Sequence, residues 1–302
     1  MTTNPVLISQ VAQNPEYSHH IEEAIKYARA QYADKPQPDF SSQSKSKDKE
    51  DFLLRVYEKL AVSFGIEILK IIPGWVSTQL DPRMAYDKEG MLASARRMAK
   101  FYEESGWSRE RFMIKVPSTW EGIQVAKEYY FFDELQEGII IFDSLEGEGI
   151  HVNMTLMFSF AQAIASSDAG ATMISPYVAR IQDWWILNHN KNYSIQEHPG
   201  LLKVADIWRY FKTFNLKTAI LVANCRKADE VLELSGCDRH TIGPSVLEEL
   251  ISKKESEILK KCNIEDLKNY HYEKIQVPDE KTFRWMLNGI YFCRFFQVNK
   301  FD

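Results

Sequence analysis

The chain has 302 residues, of which 45% are hydrophobic and 26% are charged, and its formal net charge is -5. This size and composition suit one large globular domain or two small ones. A mildly acidic chain has no general electrostatic attraction to nucleic acid or to anionic membranes, so we expect neither as a partner.

The N-terminal sequence favours a cytoplasmic protein. MTTNPVLISQ lacks the charged and apolar regions of a secretory signal. No run of about 18 apolar residues predicts a membrane-spanning helix. The four cysteines are scattered and form no CxxC pair, so the sequence predicts neither a disulfide framework nor a metal site.

Short β-rich runs alternate along the chain with segments of helical periodicity. After a stub at 2–4, the β-rich runs lie at 74–80, 111–117, 150–156, 172–177, 218–224 and 239–244. Apolar residues recur at helical spacing between them, as in 90–105 and 200–214. Strands alternating with helices indicate parallel βαβ units, and near-continuous apolar strands indicate a buried sheet.

Three segments do not follow this alternation. Residues 34–50 are rich in Ser, Lys, Asp and Pro, which is typical of a mobile surface loop. Residues 129–149 hold an apolar run between acidic turns, and we interpret them as an inserted hairpin or helix. The tail at 289–302 is short and aromatic, and we expect it to pack on the domain or on the second subunit of a homodimer.

Polar residues stand where the predicted strands end. They are Ser77, Thr78, Gln79, Lys115, Asn153, Thr155, Ser175 and Asn224. In βα barrels the chemistry lies at the C-terminal ends of the strands, and a buried polar group without a partner costs free energy. The pattern therefore predicts a polar site at these ends, with simple strand capping as the alternative.

Lys115 gives the strongest single signal, because it lies between apolar residues in FMIKVP. An amine held in an apolar pocket has a lowered pKa and becomes a nucleophile toward ketones. The iminium that forms is an electron sink, which lets a neighbouring carbon–carbon bond break. The alternative is a strand-end lysine whose ammonium reaches solvent.

Six ordered motifs resemble segments of the transaldolase family. They are TTNPVLI, VSTQLDPRMAYD, FMIKVPSTWEGI, HVNMTLMFSFAQA, TMISPYVARIQDW and ELSGCDRHTIGPSVL. The resemblance implies a single α/β domain over 1–302, a (β/α)8 TIM barrel of the class I aldolase type whose first strand and helix would precede Met1. It also implies a transferase of the pentose phosphate pathway that uses no metal and no organic cofactor.

The resemblance also assigns roles to individual residues. Lys115 matches the Schiff-base lysine, and Thr155 matches the residue that helps to hold the catalytic water. The matches to groups that bind sugar hydroxyls are Asn4, Asn153 and Ser175, and the matches to the phosphate site are Arg180 and Arg226. Two guanidiniums can grip a phosphate through forked, charge-assisted hydrogen bonds. Without the resemblance, both arginines would be interpreted as surface ion-pair residues.

Gln79, Tyr177 and Asn224 stand where the family has Glu, Phe and Ser. Glutamine can orient a water but cannot take and give protons as glutamate does. Asn224 keeps a hydrogen-bond donor near the phosphate. Gln79 and Tyr177 resemble the fructose-6-phosphate aldolases, in which they hold the water. The family's acid/base aspartate has no match in this chain.

Three functions follow as hypotheses. The leading one is a transaldolase that moves a dihydroxyacetone unit from sedoheptulose 7-phosphate or fructose 6-phosphate to glyceraldehyde 3-phosphate or erythrose 4-phosphate. The second is aldol cleavage of fructose 6-phosphate without an obligatory acceptor, which Gln79 and Tyr177 favour. The third is a catalytically impaired relative that keeps the fold for binding.

Overall fold

The computed structural model describes residues 1–32, 38, 40, 46–127, 144–254 and 261–288. These residues form two compact units. The first lies within Met1–Val116 and Tyr129–Val152, and the second lies within Pro117–Glu128 and Asn153–Asp302. Each unit combines helices with parallel strands, which is the predicted α/β class. The single domain over 1–302 stays a prediction.

The first unit contains helices α1 (Pro5–Ala12), α2 (Ser18–Gln31), α3 (Lys47–Ile71) and α4 (Lys88–Glu104). Its strands are β1 (Val76–Gln79) and β2, which spans Phe112–Pro117 and begins in this unit. The two strands pair in parallel, with Val76 opposite Phe112 and Gln79 opposite Lys115. Both strands lie within the runs that the sequence predicts.

The predicted stub at 2–4 is a short parallel bridge beside β1. Thr2 bridges to Ser77. The Ser77 N–H donates to the carbonyl of Met1 at 2.8 Å, and the Thr3 N–H donates to the carbonyl of Ser77 at 2.9 Å. The stub therefore extends the sheet of the first unit by one bridge.

A buried carboxylate joins α3 to α4. Glu58 is fully buried and accepts hydrogen bonds from Arg97 at 2.7 and 2.8 Å and from Ser94 at 2.6 Å. Arg55, one turn earlier on α3, lies 3.2 Å from the same carboxylate. A buried charge is strongly destabilising unless it is paired and hydrogen-bonded. These partners meet that requirement and fix the two helices against each other.

Helix α3 begins inside the stretch that the composition assigns to a loop. The Ser46 side chain accepts a hydrogen bond from the Lys49 N–H at 3.3 Å, and Asp48 and Glu50 lie in the first turn, where the helix dipole favours carboxylates. The loop prediction is therefore wrong for 47–50, because the polar and charged residues there cap and stabilise the first turn of α3. Residues 34–37, 39 and 41–45 lie outside the described residues.

The second unit carries the remaining elements. Its strands are β3 (Val152–Met157, within this unit from Asn153), β4 (Met173–Pro176), β5 (Ala219–Val222) and β6 (Arg239–His240), which pair in parallel in chain order. Its helices are α5 (Trp120–Ala126), α6 (Phe160–Asp168), α7 (Val178–His189), α8 (Pro199–Thr213), α9 (Ala228–Glu233), α10 (Pro244–Ser252) and α11 (Glu280–Asn288). Each predicted strand of this region is confirmed, although β6 has only two residues.

The predicted insertion and tail fall largely beyond the described ranges. Residues 144–149 form a turn in which the Glu148 N–H donates to the carbonyl of Ser144 at 3.1 Å. The rest of 129–149 and all of 289–302 lie outside the described residues. Of the helices that are described, none has both the length and the apolar character needed to cross a membrane.

Candidate active site

Lys115 lies near the end of β2 and is 5% exposed. Its neighbours Ile114 and Val116 are fully buried. Burial lowers the pKa of the ammonium from 10.5 to about 8. An amine with this pKa is partly unprotonated near neutral pH and can attack a carbonyl carbon. The alternative of an ammonium that reaches solvent does not fit this burial.

Gln79 is the register partner of Lys115 on the neighbouring strand. Side chains alternate along a strand, so Gln79 and Lys115 share one face, while Thr78 points to the other. There the Thr78 hydroxyl lies 2.6 Å from the hydroxyl of Tyr102. The Tyr57 hydroxyl donates to the main-chain carbonyl of Gln79 at 2.8 Å. A residue of α3 thus holds the end of β1 that carries the Gln79 side chain. The sequence did not predict this contact.

Asn4 stands at the start of α1 and caps it. Its side-chain oxygen accepts a hydrogen bond from the Leu7 N–H at 3.0 Å. Capping satisfies one of the N–H groups that a helix start leaves free. The oxygen of Asn4 therefore has a structural role, and a substrate-binding role would depend on its amide nitrogen.

In the second unit, two pairs of side chains meet between β3 and the end of β4. The Ser175 hydroxyl donates to the side-chain oxygen of Asn153 at 2.6 Å. The hydroxyls of Thr155 and Tyr177 lie 3.1 Å apart, and either one can donate. Asn153, Thr155 and Ser175 are at most 1% exposed. A hydroxyl can donate once and accept twice, so both pairs keep capacity for a further hydroxyl or water.

The backbone immediately after Thr155 is strained. The register of β3 against β4 shifts between Met154 and Met157. Leu156 has φ 55, a left-handed value that is a genuine outlier for a bulky residue. Such strain costs on the order of 1–3 kcal/mol and persists only where the surroundings enforce it.

Gln162, in the first turn of α6, enforces this conformation. Its side-chain nitrogen donates to the carbonyls of Leu156 at 3.2 Å and Ser118 at 2.8 Å. Its side-chain oxygen accepts from the N–H groups of Phe158 at 2.9 Å and Ser159 at 3.1 Å. Gln162 was not among the residues predicted from the sequence. The Ser159-x-x-Gln162 spacing of a capping box was the available signal.

Asp183 on α7 brings Arg180 and Arg226 together. The two Nη atoms of Arg226 donate to the two carboxylate oxygens of Asp183, each at 2.7 Å. Arg180 reaches the same carboxylate at 3.4 Å. Hydrogen bonding from Arg226 is the largest cause of the lowered pKa of Asp183. Two cations on one anion leave a net positive charge, which suits a phosphate.

The ion-pair interpretation of the two arginines is confirmed, and their role at a phosphate site stays a prediction. Asp183 was not among the residues predicted from the sequence. Its position three residues after Arg180 places both on one helix face, and this spacing could have indicated the ion pair with Arg180 but not the contact with Arg226.

Asn224 and Arg226 lie between β5 and α9. Asn224 has φ 62, and its carbonyl accepts from the Ala179 N–H at 3.2 Å. Its buried side-chain oxygen has no hydrogen-bond partner within the described part of the chain. Leaving such an atom unpaired costs roughly 1–3 kcal/mol, which a ligand donor would remove. The Arg226 N–H donates to Glu230 at 2.7 Å, so the main chain of this arginine is also fixed.

The family model described as transaldolase/fructose-6-phosphate aldolase matches residues 1–130 and 135–293. The chain belongs to this family. A transaldolase of Aeromonas salmonicida is 41% identical to it over 290 residues, which cover 95% of this chain and 80% of that protein. Transaldolases of Bos taurus and Homo sapiens are 43% and 42% identical over 288 residues, which cover 95% of this chain and 76% of theirs.

Membership of the transaldolase/fructose-6-phosphate aldolase family confirms the resemblance drawn from the six motifs, and with it the predicted α/β barrel class. Among solved structures, an IMP dehydrogenase/GMP reductase-like protein from Corynebacterium glutamicum is 14% identical, with a TM-score of 0.32 over 73% of this chain and 52% of that one. That similarity is too weak to assign a fold.

Proposed function

We propose that this chain is a transaldolase that works through a Schiff base on Lys115. The family and the relatives named transaldolase support an enzyme of this class. The observation that carries the proposal for the residue is the buried amine of Lys115, whose pKa is about 8.

The chemistry follows from that amine. Neutral Lys115 attacks the ketone carbon of a ketose phosphate, and loss of water gives an iminium. The C4 hydroxyl then gives its proton to a bound water, the C3–C4 bond breaks, its electron pair moves toward the iminium nitrogen, and an aldose phosphate leaves. The remaining enamine, which holds the three-carbon dihydroxyacetone unit, attacks the aldehyde carbon of the acceptor. Hydrolysis of the new iminium releases the longer ketose phosphate.

The polar residues of the second unit have distinct roles in this proposal. Asn153 and Ser175, already hydrogen-bonded to each other, bind the hydroxyls of the donor. The hydroxyl pair of Thr155 and Tyr177 holds the water that carries protons. Three further residues bind the phosphate, namely Arg180, Arg226 and Asn224. Gln79 orients a hydroxyl or water but transfers no proton.

The test is a transfer assay with fructose 6-phosphate as donor and erythrose 4-phosphate as acceptor. The wild-type chain should form sedoheptulose 7-phosphate, and Lys115→Arg should abolish it, since a guanidinium keeps the charge but forms no imine. Lys127→Arg is the matched control, because Lys127 is partly exposed and pairs at 3.9 Å with Asp168. Product from Lys115→Arg would contradict the role of Lys115. No product from the wild-type chain would favour the catalytically impaired relative.

A second candidate function is cleavage of fructose 6-phosphate without an acceptor. The contact between the hydroxyls of Tyr177 and Thr155 favours it, because phenylalanine at this position could not make that contact. Such cleavage should release glyceraldehyde 3-phosphate from fructose 6-phosphate alone, and Tyr177→Phe should reduce this release more than it reduces transfer. Release no greater than that of Lys115→Arg would exclude the second candidate.

A further inference from the structure

Cys237 and Cys262 lie side by side in the second unit. Their sulfur atoms are 3.8 Å apart although the residues are 25 positions apart in the chain. Both are free thiols. Cys237 precedes β6, and Cys262 follows α10 along the chain. The scattered cysteines of the sequence gave no sign of this pair, because the fold alone brings the two positions together.

Main-chain hydrogen bonds hold the two cysteines in place. The carbonyl of Ser235 accepts from the N–H groups of Lys261 at 3.0 Å and Cys262 at 2.8 Å. The Cys237 N–H donates to the carbonyl of Leu234 at 3.0 Å. A disulfide needs a sulfur–sulfur distance of about 2.0 Å, so the two side chains need to approach by roughly 1.8 Å. Because the main chain of both cysteines is held by hydrogen bonds, only a small side-chain movement is needed to bring the two sulfur atoms to bonding distance.

The two thiols are not equivalent. Cys237 donates a hydrogen bond to the sulfur of Cys262. This hydrogen bond lowers the pKa of Cys262, against the effect of burial, and Arg209 lowers it further. The same hydrogen bond, together with burial, raises the pKa of Cys237. Cys262 is therefore the thiol that more readily becomes a thiolate, which is the reactive form.

A small reagent has a route to Cys262. Although Cys262 is buried, it lines a pocket of about 130 Å³ with Trp208, Arg209 and Lys261 among its other walls. Arg209 favours the thiolate, and Glu233, which pairs with Lys261 at 3.4 Å, opposes it. Cys225, by contrast, has its pKa raised to about 12 by burial. Cys262 thus differs from an ordinary buried cysteine, because it has a neighbouring thiol and lines a pocket.

We propose that Cys237 and Cys262 form a reversible dithiol/disulfide site that hydrogen peroxide oxidises. The Cys262 thiolate attacks one peroxide oxygen, the O–O bond breaks, and hydroxide leaves and takes up a proton. The Cys237 sulfur then attacks the Cys262 sulfenic acid, an S–S bond forms as the S–O bond breaks, and a second water leaves. Each sulfur is oxidised by one electron and the peroxide is reduced to two waters.

The test is treatment of the reduced full-length chain with hydrogen peroxide, followed by peptide mass spectrometry without reductant. We expect a Cys237–Cys262 cross-linked peptide that has lost two hydrogen atoms, and the loss of two of the chain's four titratable thiols. Dithiothreitol should restore both thiols. A cross-link that joins two chains or involves another cysteine would overturn the proposal, as would four unchanged thiols.

Single variants separate the roles of the two cysteines. Cys237→Ser should leave a Cys262 sulfenic acid that dimedone traps, whereas Cys262→Ser should give neither adduct nor cross-link. Cys225→Ser is the matched control and should cross-link as the wild-type chain does. Dimedone labelling of Cys237 in preference to Cys262 would overturn the assignment. The wild-type cross-link keeps the proposal testable if a variant fails to fold.

Discussion

At the scale of a single residue, Lys115 couples the proposed chemistry to stability. Its pKa is about 8 in the folded chain against an ordinary 10.5, so between these pH values the folded chain binds fewer protons than the unfolded chain. Stability must therefore rise with pH across this window. Below about pH 8 both states are protonated, and the full cost of the buried charge, about 3 kcal/mol, is present.

We accordingly expect Lys115→Met to be more stable than the wild-type chain near neutral pH, by up to about 3 kcal/mol, because it removes a buried charge. This gain should shrink as the pH rises toward the ordinary lysine pKa. Urea unfolding of both proteins across the window measures the difference. A variant that is less stable than the wild-type chain near neutral pH would show that the amine is not desolvated as described.

The same amine should shape the pH dependence of catalysis. Only the neutral form attacks a ketone, so kcat/KM should rise with pH and level off above about pH 8. Steady-state rates across this range provide the measurement. A profile that is flat through this region would contradict a role for Lys115 as the nucleophile.

The burial of Lys115 could be predicted from sequence because it lies between apolar residues of one strand, and its assignment as the nucleophile came from the resemblance of the surrounding motifs. Asp183 and Gln162 could not be identified in the same way. Their roles depend on partners that the fold supplies, Arg226 for Asp183 and the carbonyl of Ser118 for Gln162. The spacing of residues along a helix can indicate a capping residue or an ion pair within that helix. It does not show which residues of other elements the side chain contacts.

At the scale of an element, helix α7 carries Asp183, the carboxylate that holds both arginines. Asp183→Ala should leave the guanidiniums free to move, so we expect the KM for fructose 6-phosphate to rise about tenfold, or about 1.4 kcal/mol, with kcat changed less. Asp229→Ala is the matched control, since Asp229 is 59% exposed and pairs with Lys253. A lower KM in Asp183→Ala would mean that the carboxylate competes with phosphate instead of positioning the arginines.

Helix α6 carries Gln162, which enforces the strained backbone after Thr155. Gln162→Ala should leave several buried groups unpaired and destabilise the chain by about 2–3 kcal/mol. We also expect kcat to fall at least about tenfold with little change in KM, since Thr155 would lose its position while the phosphate grip stays. Asp87→Ala, which removes the N-cap of α4, is the control that should cost stability without lowering kcat. An unchanged kcat in Gln162→Ala would contradict the positioning role.

At the scale of the whole chain, the alternation of strands and helices was predictable because short β-rich runs, most of them largely apolar, are separated by segments of helical periodicity. The runs at 74–80 and 111–117 became β1 and β2, and only the ends moved by one or two residues. The start of α3 was not predicted, since its capping signals lie within a charged, Ser-rich stretch. The proximity of Cys237 and Cys262 could not be predicted either, because no local sequence pattern relates two positions so far apart in the chain.

Chemical trapping shows whether Lys115 forms a covalent bond to the substrate. The chain is incubated with fructose 6-phosphate, reduced with borohydride and analysed by peptide mass spectrometry. We predict a stable three-carbon adduct on Lys115 in the wild-type chain and none in Lys115→Arg. An adduct on another lysine, or one that persists in Lys115→Arg, would contradict the claim.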